Sequence, residues 1–308
     1  MKETLLLYGL LRGSIDNLSE VARKLGITVN TVWRWAKEYE TQGILSKDSK
    51  YKISSTVDAL RFSVSYLLRN SSSIEEVLGK LYKILDEGWA VTGSYALYYY
   101  DLFYLLPPKP PILSIVVQDN GLKERLEKLL APITKAFDTS LAVITREKIA
   151  LENEPPYPLE NLLVTPPRDA LLDSLEMAWR EVEPPFLAVQ AFYMYSPRIE
   201  EYLELIEKAV EYRYTGALKL MNLASGLLKE LSPSRKWLNI YLVTRTALGK
   251  TVQPSKVNPR ILDDIHFAIT ETVLTNGLYT EIVSKFTKNI VKEWKGEEYA
   301  LTRPVPVS

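Results

Sequence analysis

Cysteine is absent from all 308 residues, and histidine occurs once. Without cysteine there is no disulfide, thiolate nucleophile, zinc finger or cysteine-held cluster. The same absence suits a reducing cytoplasm, which is the expected location. The single histidine, His266, cannot build a histidine-rich metal site. Its setting, Asp263-Asp264-Ile265-His266-Phe267, contains no nucleophile-elbow serine, so it reads as structural. No metal, cofactor or catalytic residue is expected. Long apolar runs are missing too. The most apolar stretch, residues 90–106, is interrupted by Gly93, Ser94 and Asp101 and includes five tyrosines. A spanning helix needs about 20 largely apolar residues, so no membrane segment is expected. The start, Met1-Lys2-Glu3-Thr4, lacks the basic region and cleavage site of a signal peptide. The absence of Cys, together with abundant Lys, Glu, Ile and Tyr, points to a thermophilic source.

Net charge is also missing, since 38 basic residues balance 38 acidic ones. The charges are unevenly placed, however. Residues 1–70 hold 11 Lys and Arg against 7 Asp and Glu, whereas the remainder holds 27 against 31. A basic first quarter on an acidic body places any nucleic-acid contact at the N-terminus.

What is present in that first quarter is a set of helix boundaries. Thr4–Leu11 reads as a short apolar helix ending near Gly13. Asn17 caps a helix over Leu18–Leu25, with Glu20 in capping-box spacing and Gly26 as the left-handed stop. Thr28 caps a second helix from Val29 to about Gln42, which Gly43 ends. Leu18, Val21, Ala22, Leu25 and Ile27 face Val32, Trp35, Ala36 and Tyr39 across a shared apolar patch. This pattern predicts a helix-turn-helix whose second helix enters the major groove. Two short strands, Ile44–Ser46 and Tyr51–Ser54, supply a wing, and a helix over Thr56–Arg69 follows.

The outer face of the second helix carries Asn30, Thr31, Trp33, Arg34 and Lys37, next to the cap Thr28. Arg pairs with guanine, Asn with adenine, and Thr with phosphate or a thymine methyl; Lys37 suits phosphate. Trp33 fits either a thymine methyl or the outer edge of the core. Lys47, Lys50 and Lys52 on the wing are candidate phosphate contacts. Double-stranded DNA is therefore the expected partner.

The polar run Asn70-Ser71-Ser72-Ser73 is the expected boundary between a DNA-binding domain, residues 1–70, and the body. Residues 71–180 alternate helix and strand. A helix capped by Ser73 closes at Gly88, followed by a strand at Trp89–Thr92, a Gly93-Ser94 turn and a helix over Tyr95–Leu105. A buried strand at Ile112–Val117, a helix at Leu122–Leu130, a strand at Ser140–Thr145 and a short strand at Asn161–Thr165 come next. A helix over Arg168–Arg180 opens at Pro166-Pro167. Residues 181–300 read as a helix-rich region, either separate or part of the same domain, with a flexible tail at 301–308. Within it Trp237–Thr246 reads as a strand and Thr280–Lys295 as a final helix. A helix over Pro197–Tyr214 places Ile199, Leu203, Ile206, Ala209 and Val210 on one stripe, suited to the core or to a dimer. The fold class is α+β.

Two segments carry a resemblance: Val91-Thr-Gly-Ser-Tyr-Ala-Leu97 with Tyr100-Asp101-Leu102, and Leu163-Val-Thr-Pro-Pro-Arg-Asp-Ala-Leu-Leu-Asp173. Together with the winged helix, over residues 5–175, they resemble the AbiEi-like antitoxin and transcriptional regulator family of type IV toxin–antitoxin systems. The resemblance implies a nucleotidyltransferase-like body and autorepression of a toxin–antitoxin operon. Active enzymes of that fold hold phosphates at Gly-Ser and metal ions at a D-x-D pair on the next strand. Here that strand is Ile112-Leu-Ser-Ile-Val-Val117, without carboxylates, so the body is expected to be inactive. Arg168 is expected to pair locally with Asp169 or Asp173.

The expected function is thus a homodimeric transcriptional regulator with a possible toxin partner. An active nucleotidyltransferase built on Asp101, Asp119 and Asp138 competes with this reading. So does an interaction module in which the acidic body binds a protein.

Overall fold

The computed structural model describes residues 1–102, 112–152, 159, 162–231 and 234–272. The helix expected at Thr280–Lys295, the tail from 301, and Asn161 lie outside the described residues. The N-terminal segment comprises α1 (Glu3–Arg12), α2 (Leu18–Leu25), α3 (Val29–Thr41), β1 (Leu45–Lys47), β2 (Tyr51–Ile53) and α4 (Thr56–Arg69). Val21 and Ala22 of α2 and Val32, Ala36 and Tyr39 of α3 are buried together with Leu5, Leu6, Leu7 and Leu11 of α1. The β1–β2 hairpin is antiparallel, and Ile15 adds a single antiparallel bridge to Tyr51 on the other edge of β2. This packing of helix, helix-turn-helix and hairpin is the winged arrangement.

The body follows as α5 (Ile74–Ile84), β3 (Trp89–Thr92), α6 (Gly93–Tyr99), β4 (Ile112–Val117), α7 (Asn120–Ala136), β5 (Ser140–Thr145) and α8 (Pro167–Trp179). β4 lies centrally, antiparallel to β3 and parallel to β5. Val164 bridges the outer edge of β3 at Val91, so within the described residues 162–165 the expected short strand is a single rung. All six residues of β4 are buried, which means that both faces of the sheet are covered. α6 and α8 pack on each other and on the strands. α7 packs on β4 and β5, and its other neighbours are α1 and α4 of the N-terminal segment. The Arg125 Nε–H of α7 donates to the Leu11 carbonyl (3.0 Å), tying the two segments together.

The remaining helices are α9 (Pro185–Met194), α10 (Ile199–Glu211), α11 (Thr215–Leu231) and α12 (Arg235–Leu248), and residues 259–272 are also helical. α8 packs against α9 and α11, and α11 against α12. α12 corrects the strand expected at Trp237–Thr246. Its buried residues Trp237, Ile240 and Thr244 recur at helical spacing, and Ser234 caps it. α10 is rotated from the expected stripe. Tyr202, Leu205, Ile206 and Ala209 are buried, whereas Val210 is half exposed. The cause is Tyr202, whose ring packs edge-on against Phe192 and Trp237 (centroids 5.3 and 5.6 Å) and draws that side inward. His266 is exposed on the helical stretch 259–272.

Several helices end elsewhere than expected; α5 stops at Ile84 instead of at Gly88, because Leu85 is extended. α6 stops at Tyr99 because Asp101 adopts a left-handed conformation (φ 57°). The Asp101 and Leu102 N–H groups then close back on the Tyr98 and Leu97 carbonyls (3.3 and 3.2 Å), a Schellman stop without glycine. α7 instead runs through Pro132 to Ala136.

Candidate nucleic-acid interface

α2 and α3 are positioned by local chemistry. The Asn17 side chain accepts from the Ser19 and Glu20 N–H groups (2.8 and 3.4 Å), capping α2. Gly26 ends α2 at φ 66°, where a β-carbon is disfavoured. Two residues later Thr28 Oγ1 accepts from the Thr31 N–H (3.4 Å) and opens α3. Such a cap contributes about 1 kcal/mol. The buried stripe Val32, Ala36, Tyr39 turns the opposite side of α3 outward.

That outward side gathers Asn30, Trp33 and Arg34, all exposed, with Lys37 half-buried one turn beyond Trp33. Asn30 and Arg34 lie one turn apart, as do Val29 and Trp33. Trp33 is 52% exposed, which removes the reading in which it covers the core; the partly buried Trp35 does that. Thr28 and Thr31 are different, because their hydroxyls hydrogen-bond each other (2.9 Å) at the N-terminus of α3. Their chemistry is spent on the cap. Val29, 42% exposed, joins this face although the sequence did not mark it. The only signal was an apolar residue at the first helical position, in line with Val32 and Ala36 but one turn beyond the core.

The cations divide into paired and unpaired. Lys37 Nζ lies 2.8 Å from Glu40, and Lys50 Nζ lies 3.0 Å from Asp16. The hydrogen bond to Glu40 raises the Lys37 ammonium pKa and keeps it charged. Lys47 sits 5.5 Å from the Tyr51 ring centre. Among the described residues, Arg34 and Lys52 have no carboxylate partner, and both are exposed.

The Gly93-Ser94 turn in the body has an occupant. The Glu183 carboxylate, 2% exposed, accepts from the Ser94 N–H (3.2 Å), the Ser174 hydroxyl (2.6 Å) and the Ser114 hydroxyl of β4. Burial raises its pKa, and the hydroxyls of Ser114 and Ser174 oppose that shift. Gly93 has φ 57°, and a β-carbon there would lie 2.5 Å from Glu183 Oε1 and 2.8 Å from Ser114 Cβ. Beside this cluster Arg146 Nη1 bonds Asp173 (2.9 Å) and lies 3.6 Å from Asp169. The Tyr214 and Thr92 hydroxyls also donate to Asp173, and Tyr212 donates to Asp169. Burial, only partly offset by Arg146, pushes Asp173 up to about 6. The local pairing expected for Arg168 is corrected, since Arg168 bonds Glu204 of α10 (3.0 Å) and Arg146 takes both aspartates.

Asp101, Asp119 and Asp138 are not brought together. Asp119 caps α7 by accepting from the Leu122 N–H (2.8 Å), while Asp101 and Asp138 occupy left-handed positions after α6 and α7. Among the described residues, no group of three or more His, Cys, Asp or Glu side chains is arranged to hold a metal ion. Nor is any helix among them long and apolar enough to cross a membrane.

Residues 11–47, spanning α2, the turn, α3 and β1, match the homeodomain-like domain family. No curated protein and no solved structure matches the chain. The chain therefore carries a DNA-binding helix-turn-helix of homeodomain-like type at its N-terminus.

Proposed function

We propose that the protein is a sequence-specific transcriptional regulator that reads duplex DNA with α3, and that its nucleotidyltransferase-like body is inactive. The observation that carries the DNA reading is the outward sector of α3. Asn30, Trp33 and Arg34 stand exposed together on a helix whose opposite side is locked into the core. Asn and Arg supply bidentate base readout, and Lys37 with the wing lysines Lys47 and Lys52 reaches phosphates. Lys50 exchanges its Asp16 partner for phosphate when DNA docks.

For the body, the order β3, α6, β4, α7, β5, α8 with Gly-Ser after the first strand supports the nucleotidyltransferase-like reading. Glu183 supports its inactivity, because a carboxylate already takes the Ser94 N–H that a phosphate would need. Ser114 lies on the strand where metal-binding carboxylates would stand. The fitting biological role is an antitoxin-type autorepressor, acting as a homodimer that reads two half-sites.

A titration of the chain's own upstream DNA against a scrambled duplex at two salt concentrations tests this. Wild type should prefer the native duplex, and affinity should fall as salt rises. Arg34→Ala/Lys37→Ala should abolish the preference. Binding to neither duplex at low salt refutes the proposal and favours α3 as a protein contact. Tight magnesium-dependent binding of ATP by the same preparation would overturn the inactive-body reading alone. Sedimentation at micromolar concentration checks the dimer, and co-purification of an adjacent gene's product checks the toxin partner.

A further inference from the structure

The outward sector of α3 is not uniformly polar. One flank consists of Val29 and Trp33, one helical turn apart and 42% and 52% exposed. The other consists of Asn30 and Arg34, also one turn apart. The pair borders the buried stripe Val32, Ala36 and Tyr39, and it stands exposed at the N-terminal end of α3. An indole and an isopropyl group left in water along the reading helix are a loss until something apolar meets them. On the major-groove edge of a base pair, the one apolar feature is the C5-methyl group of thymine.

We infer that Val29 and Trp33 read thymine methyl groups, so that the preferred site places thymines beside the bases contacted by Asn30 and Arg34. This rests on the proposed DNA-binding function and specifies its target. A protein partner is a weaker occupant of the flank, because the charged and amide groups of Arg34, Lys37 and Asn30 sit immediately beside it. The helix also emerges from a domain of homeodomain-like type. The two flanks would divide the labour. Arg34 and Asn30 set hydrogen-bonded positions, and the apolar pair sets neighbouring positions by methyl burial.

The test begins with the full chain and a randomised duplex library, from which bound sequences are selected. The best duplex is then synthesised with deoxyuridine replacing thymidine, which removes only the methyl groups. Affinity should fall about fourfold for each methyl contacted, while the salt dependence, which reports phosphate contacts, stays the same. Trp33→Ala should lose part of the discrimination and Val29→Ala/Trp33→Ala should bind the two duplexes alike, and because both side chains are exposed these variants should fold normally. Equal affinity of wild type for the thymine and uracil duplexes would overturn the inference while leaving DNA binding intact. Discrimination that survives in Val29→Ala/Trp33→Ala would assign the methyl reading to other residues and overturn it too. Selection of no duplex at all would remove the DNA-binding reading and this inference with it.

Discussion

α3 and α8 are each 13 residues long, yet α3 buries three side chains and α8 buries ten. α3 keeps its polar residues on the outside, where Asn30 and Arg34 stand exposed to a ligand. α8 carries Asp169, Asp173, Ser174 and Glu176 inside, where every one of them must find a partner within the fold. Arg146, Tyr212 and Tyr214 serve the two aspartates, and Glu183 takes the Ser174 hydroxyl. Glu176 accepts from the Ala217 N–H (2.9 Å) in the first turn of α11, where a carboxylate is favoured by the helix dipole. The comparison teaches that a polar residue on a helix signals contact with a partner only when it faces outward. Inside, it signals a fold whose specificity depends on completed networks.

Substitutions should separate the two helices sharply. Arg146→Ala strands Asp173 and Asp169 in a buried site and should cost about 3–5 kcal/mol in denaturant unfolding. A loss under about 1 kcal/mol would mean that the network contributes little to holding α8. Gly93→Ala comes next. It places a methyl group against Ser114 and Glu183 and forces a left-handed backbone, for a cost of about 2–4 kcal/mol. An unchanged unfolding midpoint would show that α6 and Glu183 can move apart.

Glu183→Gln should act through pH. Burial raises the folded-state pKa of Glu183 above its ordinary 4.5. The folded chain therefore holds that proton more tightly than the unfolded chain does. Its contribution to stability is complete below about pH 4.5 and is lost as pH rises through the raised value. Gln stays neutral throughout, so the melting temperature of the variant relative to wild type should climb between pH 5 and pH 8. A constant difference across that range would argue against a raised pKa. On α3, Thr28→Ala should cost about 1 kcal/mol and Thr28→Asn should restore most of it, as seen in thermal unfolding. Arg34→Ala should change stability by no more than about 0.5 kcal/mol. A larger loss would mean that Arg34 belongs to the fold, and the contrast between the two helices would narrow.

Legibility in the sequence followed the same division. The caps Asn17, Thr28 and Ser73 and the stop at Gly26 were readable because each partner lies within five residues. The stops at Asp101, Asp138, Glu181 and Arg213 were not, since nothing in the sequence marks these residues for a left-handed turn. α12 read as a strand because its aromatic and β-branched residues suit an extended chain as well as a helix. Packing of Trp237 and Ile240 against the other helices selected the helix.

By itself the sequence determined the helix-turn-helix, its outward chemistry and the alternating strands and helices of the body. Those features depend on periodicity and on contacts a few residues apart. Only the tertiary structure decided that Glu183 fills the turn at Ser94, 89 residues away, and that Thr92 meets Asp173, 81 residues away. Such pairings are set by which elements pack together. A carboxylate destined for the core and one destined for water look the same until that packing removes the solvent.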